Sequence, residues 1–408
     1  MGESRSKRLK RQELDKRAVI KVNKTIKAVN EGVNGVVYFG AENDYPQTME
    51  LIIGGSSTAK SSASIYSKFL AGHGFTNEAI NKIVVGKDPR GKDLTLLSLL
   101  RQSCDSASTN YGFYIHRNTN LNGVTGTVHL KPFKDMRFSK PDDRGFSAKV
   151  LYHQNWSKDK DLGRFKIGDS VVYPLFTNDP NAIASQVKAA GGPDRYKGQV
   201  YFCFLDNQYF YPLSPFDPVY LDADTEQQLA LYKNRQLRNG FFDKILVRTQ
   251  PGIETTDDKG ETVKTEGIKD EIVEFLGADG ETVMAFEDDI DPDTQEFYKN
   301  SFQIENIKGN VDNKLFQNWE KTVANSIRKS PRNIPAILID YESSQLGATS
   351  GEAIVQATEF YNAMTDDDRT LISEAFEEIF KTSEIKELRE NEDWSIKPLN
   401  LVNNGATT

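Results

Sequence analysis

The sequence predicts an α+β fold, and three features of the chain predict it. Residues 31–220 mix short helical patterns with a dense run of strand signals. Two long, mostly polar helices, at 224–239 and 311–329, bracket a strand-rich insertion. Helical patterns return after residue 350. Hydrophobic residues make up 38% of the 408, enough for a real core, which argues against wholesale disorder. As a soft prior, this length suggests two or three structural units.

The elements follow in order. GVVYFG (35–40) is a short apolar run. TMELIIGGSSTAKSSASIYSKFLAGHGF (48–75) reads as two short helices broken at Gly54-Gly55, with Ala63, Tyr66, Phe69 and Leu70 on one side of the second. Gly72-His73-Gly74 supplies a stop. Residues 92–104 place Leu94, Leu97, Leu100 and Cys104 at helical spacing. YGFYIHR (111–117) then switches to β-rich residues. TVHLKPF, FSAKVLYHQNW, DSVVYPLF, GQVYFCFL and NQYFYPL continue the strand signals up to residue 220.

The character changes at Pro215 to Pro218. Asp224-Thr-Glu-Gln227 has the form of a capping box and opens a helix that closes at Asn239-Gly240. Leu229, Tyr232 and Gln236 share one face of it, and Leu231, Arg235 and Arg238 another. So thin a stripe suits packing beside copies of itself or between domains. FFDKILVRTQ (241–250) is a strand, and DDKGE and GADGE are hairpin signals. Residues 284–308 turn from acidic to strand-like. Val311, Leu315, Trp319, Val323 and Ile327 then recur every four residues along the clearest helix. NIPAILIDYESSQLGATS is extended and runs into a loop. Thr349 to Glu352 form a capping box for a helix with Ile354, Ala357, Phe360 and Tyr361 inward. Thr365 caps the next helix. Its first turn holds Asp366, Asp367 and Asp368, and its apolar face is Leu371, Ile372, Ala375, Phe376, Ile379 and Phe380. From Trp394 on the expectation is a loose tail.

No apolar run is long enough to cross a bilayer, and the basic N-terminus is not followed by the apolar stretch of a signal peptide. Cys104 and Cys203 lie far apart and read as small buried hydrophobes in a reducing compartment. The net charge of −8 argues against a general nucleic-acid coat. It hides a basic arm: ten Lys or Arg in the first 27 residues, among them Arg5, Lys7, Arg8, Lys10 and Arg11, against Glu3, Glu13 and Asp15. That arm reads first as a solvated terminus and second as a contact for nucleic acid or an acidic partner.

Catalytic signals are sparse. GGSSTAKSS (54–62) lacks the glycine before Lys60 that a phosphate loop needs. His73, His116, His129 and His153 have no metal-type spacing. EDDIDPDTQE (287–296) begins like a calcium loop, but lacks the glycine at position six and has Asn300 in place of the bidentate glutamate. The expectation is no catalytic residue, no metal and no cofactor.

Three stretches, in this order, carry a resemblance. They are ENDYPQTMELI with FLAGHGF, then NRQLRNGFFDKILV, then NIPAILI…SGEAIVQATEFYNAMTDDDR. Together with the layout around them, they resemble the portal proteins of tailed double-stranded DNA phages, in variants from phages of Bacteroidetes-type hosts. The layout matches over roughly residues 40–380. The resemblance implies a ring-forming portal fold, with twelve copies around a DNA channel at one capsid vertex. It implies a basic arm at 1–30, a wing at 31–220, stem helices at 221–240 and 311–330, and a clip at 241–310. An extended segment and tunnel loop would occupy 331–350, short C-terminal wing or crown helices 351–393 and a flexible tail 394–408. The tunnel-loop residues would be Ser343, Ser344, Gln345, Leu346, Gly347, Thr349 and Ser350. Channel or stem charges would be Lys233, Arg235, Arg238, Lys321 and Arg328. Implied partners are the ring neighbours, the major capsid protein, the terminase large subunit, a head–tail adaptor, a scaffold and the DNA in transit, with no membrane. A loop of small polar residues slides over phosphates without the grip that Lys or Arg would add. The chain departs from the pattern in ending soon after 382, with little room for a crown, and in its Ser-rich 56–64.

Two other readings compete. The Tyr and Phe density of 111–220 fits a β-rich binding or adaptor module of a virion. Asp288, Asp289, Asp291 and Asp293 would serve a metal-dependent nuclease.

Overall fold

The structure is a computed structural model. It describes residues 35–40, 43–120, 123–156, 170–234, 318–339 and 352–400 with their side chains. Backbone elements are also described at 28–29, 235–238, 244–249, 254–256, 262–264, 283–287, 303–307, 313–317 and 350–351. The chain divides into two units. One is Met1–Thr225 with Thr322–Thr408, the other Glu226–Lys321.

The first unit opens with β1 (Ala28–Val29) paired antiparallel to β2 (Val36–Val37). Helices α1 (Tyr45–Gly55) and α2 (Ser57–Ala71) follow. They break at Ser56, one residue beyond the expected glycines, because the Ser56 hydroxyl accepts the Ala59 N–H at 3.0 Å and caps α2. Ala63, Tyr66, Phe69 and Leu70 are all buried, as their spacing requires. Leu94 lies in β4 (Asp93–Thr95), which pairs with β3 (Val84–Lys87), and not in the helix expected from 92. Helix α3 (Leu96–Asn110) starts later because Thr95 Oγ1 takes the Ser98 N–H.

Strand β5 (Gly112–Thr119) is the centre of the unit. It pairs antiparallel with β6 (Thr125–Lys131) and with β10 (Gln199–Phe204). Its alternating side chains feed two cores. Phe113 and Ile115 join α2, α3 and the C-terminal helices, whereas Tyr114 joins α1 and a second sheet. That sheet is β7 (Met136–Phe138), β8 (Lys149–Tyr152) and β9 (Val171–Pro174), all antiparallel. Between β9 and β10 lies α4 (Pro180–Ala190), where only strands were expected. Asp179 caps it, Pro180 begins it and Gly191 at φ +90° closes it. The expected strand NQYFYPL is bend and coil. Arg137 is fully buried and donates to Asn43 Oδ1 at 2.6 Å, to the Asn43 carbonyl at 2.8 Å and to the Lys134 carbonyl at 2.9 Å.

The cysteines are buried in one core, as expected. Burial pushes the Cys104 thiol well up and that of Cys203 up to about 12. Neither should react with a thiol reagent at pH 8 in the native protein. Both should react on unfolding, and fast labelling of the folded chain would contradict this packing.

His116 and His129 face each other across β5 and β6, with ring centroids 4.6 Å apart. Burial pushes each down to about 4, with Lys131 nearby adding to the shift. In the unfolded chain each takes a proton near 6.5, so between pH 6.5 and 4 the unfolded state binds more protons. Stability therefore falls as pH drops through that window, by on the order of 3 kcal/mol for the pair after solvent screening. Urea midpoints measured from pH 7 to 4 should show this slope, and the slope should flatten in the His116→Gln, His129→Gln chain.

The second unit centres on β11 (Lys244–Thr249). It pairs parallel with β14 (Val283–Glu287) and antiparallel with β15 (Gln303–Ile307). β12 (Glu254–Thr256) pairs antiparallel with β13 (Thr262–Lys264) on either side of DDKGE, in line with the hairpin signal, and DDKGE itself lies outside the described residues. β14 pairs with β11; the GADGE turn lies outside the described residues, as does EDDIDPDTQE beyond Glu287 with its candidate acids.

Candidate functional site

Two helices bracket the second unit in sequence. They are α5 (Tyr220–Arg238) and α6 (Asn313–Lys329), and the division between units falls inside both. α5 begins at Tyr220, after a 3-10 turn at Asp217–Val219, so Asp224 lies within the helix and does not cap it. In the first unit the Ser326 hydroxyl donates to Asp222 Oδ2 at 2.5 Å, and Val323, Ile327 and Ala223 share the second core. In the second unit Lys233 pairs with Glu320, and both are partly exposed. Solvent screens such a pair, so Lys233→Ala should change a denaturation midpoint by under about 1 kcal/mol. Leu221 in the first unit is 55% exposed, and Leu231 and Trp319 in the second unit are 45% and 50% exposed.

Beyond α6 the chain makes a locked turn. Arg332 and Asn333 both adopt left-handed backbone, at φ +59° and +56°, which non-glycine residues rarely do. Side-chain hydrogen bonds hold the turn. Arg332 grips Asp368 with two donors, Nε to Oδ2 at 3.0 Å and Nη2 to Oδ1 at 2.7 Å. The Tyr66 hydroxyl donates to the same Oδ2 at 2.7 Å. Tyr361 donates to the Pro331 carbonyl at 2.8 Å, and Arg328 Nη1 to the Ile334 carbonyl at 3.0 Å. The Ser330 hydroxyl also bonds the Pro215 carbonyl. The Asp368 hydrogen bonds hold the Arg332 guanidinium well above its ordinary range, whereas burial pushes the Tyr66 hydroxyl up. A short turn at Ala336–Leu338 follows, and the chain leaves the described residues at 339.

It returns at α7 (Ser350–Met364), which leads into α8 (Asp366–Phe380). Thr365 does not cap α8. Its buried hydroxyl donates back to the Tyr361 carbonyl at 2.9 Å and accepts from Arg369 at 2.8 Å. α8 buries Ile372, Ala375, Phe376, Ile379 and Phe380 as expected, but Leu371 is exposed. On α7 Tyr361 is buried, whereas Phe360 faces out, 46% exposed, because a full turn of apolar residues is wider than the surface α7 covers. The expected loose tail is packed at its start. Trp394 stacks on Phe380, Ile396 is buried, and Lys397 bonds the backbone at His73 and Gly74.

The sequence-derived site residues fare unevenly. Ser343, Ser344, Gln345, Leu346, Gly347 and Thr349 lie outside the described residues, as do Arg5, Lys7, Arg8, Lys10 and Arg11. The backbone of Ser350 opens α7, and those of Arg235 and Arg238 end α5. Lys321 is exposed. Arg328, expected as a channel charge, is partly buried and holds the turn through Asn325 and Ile334. Sequence reasoning missed Arg332, Asp368, Tyr66 and Tyr361 as a set. The signal at hand was Asp368 in a helix first turn, where a dipole role accounts for it without a partner.

No family model matches the chain, and no curated protein matches it. Among solved structures it is similar to a chain in the neck of a native gene transfer agent particle computed with C12 symmetry. The identity there is 14%, the coverage 87% of this chain and 84% of that one, and the TM-score 0.49. A chain of the native gene transfer agent virion matches at 14% identity, over 82% of this chain and 80% of that one, with a TM-score of 0.48. An HK97 family phage portal protein from Corynebacterium diphtheriae matches at 11% identity, over 78% of this chain and 89% of that one, with a TM-score of 0.36.

Proposed function

We propose that this chain is a phage portal subunit, which assembles into a ring of about twelve copies that passes double-stranded DNA through its centre. The observation that carries the reading is the helix pair. α5 and α6 carry the chain into and out of the second unit, where Leu231 and Trp319 are 45% and 50% exposed, apolar side chains that ring neighbours would cover. The locked turn after α6 supports it. A segment of small polar residues, 343–350, follows a junction braced by Arg332, Asp368, Tyr66 and Tyr361. Such a segment touches phosphates without the counterion release that gives tight binding. In this reading the second unit is the clip that docks the terminase and later the tail adaptors, the vertex contacts are to the capsid protein, and the chain does no chemistry.

The test is the mass of the native particle by light scattering or native mass spectrometry, with negative-stain images. A ring of about twelve copies with a central hole is the expected result. A chain that stays monomeric at every concentration, with and without a scaffold, would refute it.

A further inference from the structure

We propose that the open edge of β10 is a docking site for an extended peptide of another protein, one in which basic and apolar residues alternate. Among the described residues β10 has only β5 beside it along Phe202–Phe204. The Leu205 N–H bonds the Tyr111 carbonyl, which sets the register. Tyr201 and Cys203 turn their backbone groups to β5, while Phe202 and Phe204 turn theirs outward. Val200 shares the outward register, and its carbonyl takes the Phe176 N–H. Among the described residues nothing takes the outward groups of Phe202 or Phe204. An unpaired strand edge is a template for another strand.

The two walls of this edge differ, because successive residues of β10 point to opposite faces. On the Phe202 side the wall is aromatic. Phe202, Tyr209 and Phe210 are 38%, 49% and 38% exposed, and Phe202 and Phe210 both lean edge-on to Phe138, at 5.1 and 5.5 Å. On the Tyr201 side the wall is α8. The Tyr201 hydroxyl donates to Glu378 Oε2 at 3.0 Å, and the Cys203 thiol to the Leu371 carbonyl at 3.9 Å. Leu371, Glu374 and Glu378 recur along one exposed face of α8. Burial and then the Glu374 charge push the Cys203 thiol up, which places that carboxylate close to the strand. Among the described residues neither Glu374 nor Glu378 has a cation in salt-bridge reach.

The chemistry of the occupant follows from these walls. A strand laid along Phe202 and Phe204 sends alternate side chains to the two sides. Its apolar residues cover Phe202 and Phe210, and the Lys or Arg between them reach Glu374 and Glu378. A strand with carboxylates in those places would meet like charge. The backbone ladder gives such a complex its affinity, and the two unlike walls choose the sequence.

Hydrogen exchange on the full-length protein tests this, and each readout is independent of whether the chain forms a ring. The probes are blocked peptides: alternating valine and lysine, alternating valine and glutamate, and the valine–lysine peptide N-methylated at alternate amides. At saturating valine–lysine peptide the Phe202 and Phe204 amides should exchange at least about tenfold more slowly, with Phe113 and Ile115 in β5 unchanged. The other two peptides should leave Phe202 and Phe204 as they are, because one meets like charge and the other cannot complete the ladder. No protection by the valine–lysine peptide would overturn the proposal, and so would equal protection by either of the others. Strong protection of both amides before any peptide is added would show the edge already filled, by a second copy if dilution removes it and by the same chain if it does not. Either result would overturn the assignment to a separate partner. Glu374→Lys leaves the Tyr201–Glu378 bond in place and should weaken the valine–lysine peptide about fivefold, read by fluorescence anisotropy. An unchanged affinity would overturn the part assigned to α8.

Discussion

Asp368→Ala should destabilise the protein by about 3 kcal/mol, as measured by urea or thermal unfolding. The carboxylate is buried and is the common acceptor for both Arg332 donors and for Tyr66. Its removal leaves a partly buried guanidinium without its pair and a buried hydroxyl without its acceptor, and each loss costs on the order of 1–3 kcal/mol. Arg332 is partly exposed, so solvent recovers some of its share, which places the total at the low end of the range for broken buried pairs. The loss should also be local. The left-handed backbone at Arg332 and Asn333 is held by these contacts, so amide exchange at 332–339 should rise more than exchange in β5. Asp368→Asn keeps the volume and one acceptor oxygen and should fall between the native and alanine proteins. A midpoint unchanged in both variants would mean that the Arg332 contact contributes nothing, and the idea of a braced mount would go with it.

Gly72→Ala should cost a similar amount by a different route. Gly72 sits at φ +49°, and a Cβ there would lie 2.1 Å from the Lys397 carbonyl oxygen. The obstacle is backbone, not a side-chain tip that can swing away. That carbonyl accepts the His73 N–H at 2.9 Å, while the Lys397 N–H donates to the Gly74 carbonyl at 2.9 Å and the Thr76 N–H to the Ser395 carbonyl at 2.8 Å. To admit one methyl group, the 394–397 segment must lift, and it takes Trp394 and Ile396 out of the core. Burying two such side chains contributes a few kcal/mol, so about 3 kcal/mol of lost stability is expected. Trp394 should then become accessible to an aqueous quencher, while Trp156 stays dark to it. A variant that keeps both its midpoint and its quenching profile would show that the segment re-seats without cost.

Much of the local structure was legible. The α2 face, the strands of 111–131 and the C-terminal helix face all declared their periodicity, because one side of each meets a core and the other meets water. The errors occur where a local signal competed with a distant partner. Asp224 has a capping-box sequence, yet the chain is already helical from Tyr220, since the turn at Asp217–Val219 runs straight into the helix. Thr365 looks like a cap, yet its hydroxyl is drawn back to Tyr361 and out to Arg369. Helix α4 carried its own start and stop in Asp179, Pro180 and Gly191, but only Ile183 is buried on it, so its apolar periodicity was too thin to read against the flanking strands. The braced turn was illegible for a plainer reason: Tyr66, Arg332, Tyr361 and Asp368 span 302 residues of sequence, and no spacing rule links them.

By itself the sequence determined the fold class, the two polar helices around a strand-rich insertion, the burial of both cysteines and the absence of a recognisable catalytic motif. These rest on composition and on periods of two or 3.6 residues, which the local backbone enforces wherever one face is desolvated. Only the tertiary structure decided that Arg137 is fully buried among backbone carbonyls, that the chain after Trp394 is pinned to the Gly72 turn, and that Asp368 is the anchor for Arg332 and Tyr66. Each depends on a buried polar group finding a partner far away in the chain. The cost of leaving such a group unpaired selects the partner, and that cost exists only once the core has closed around it.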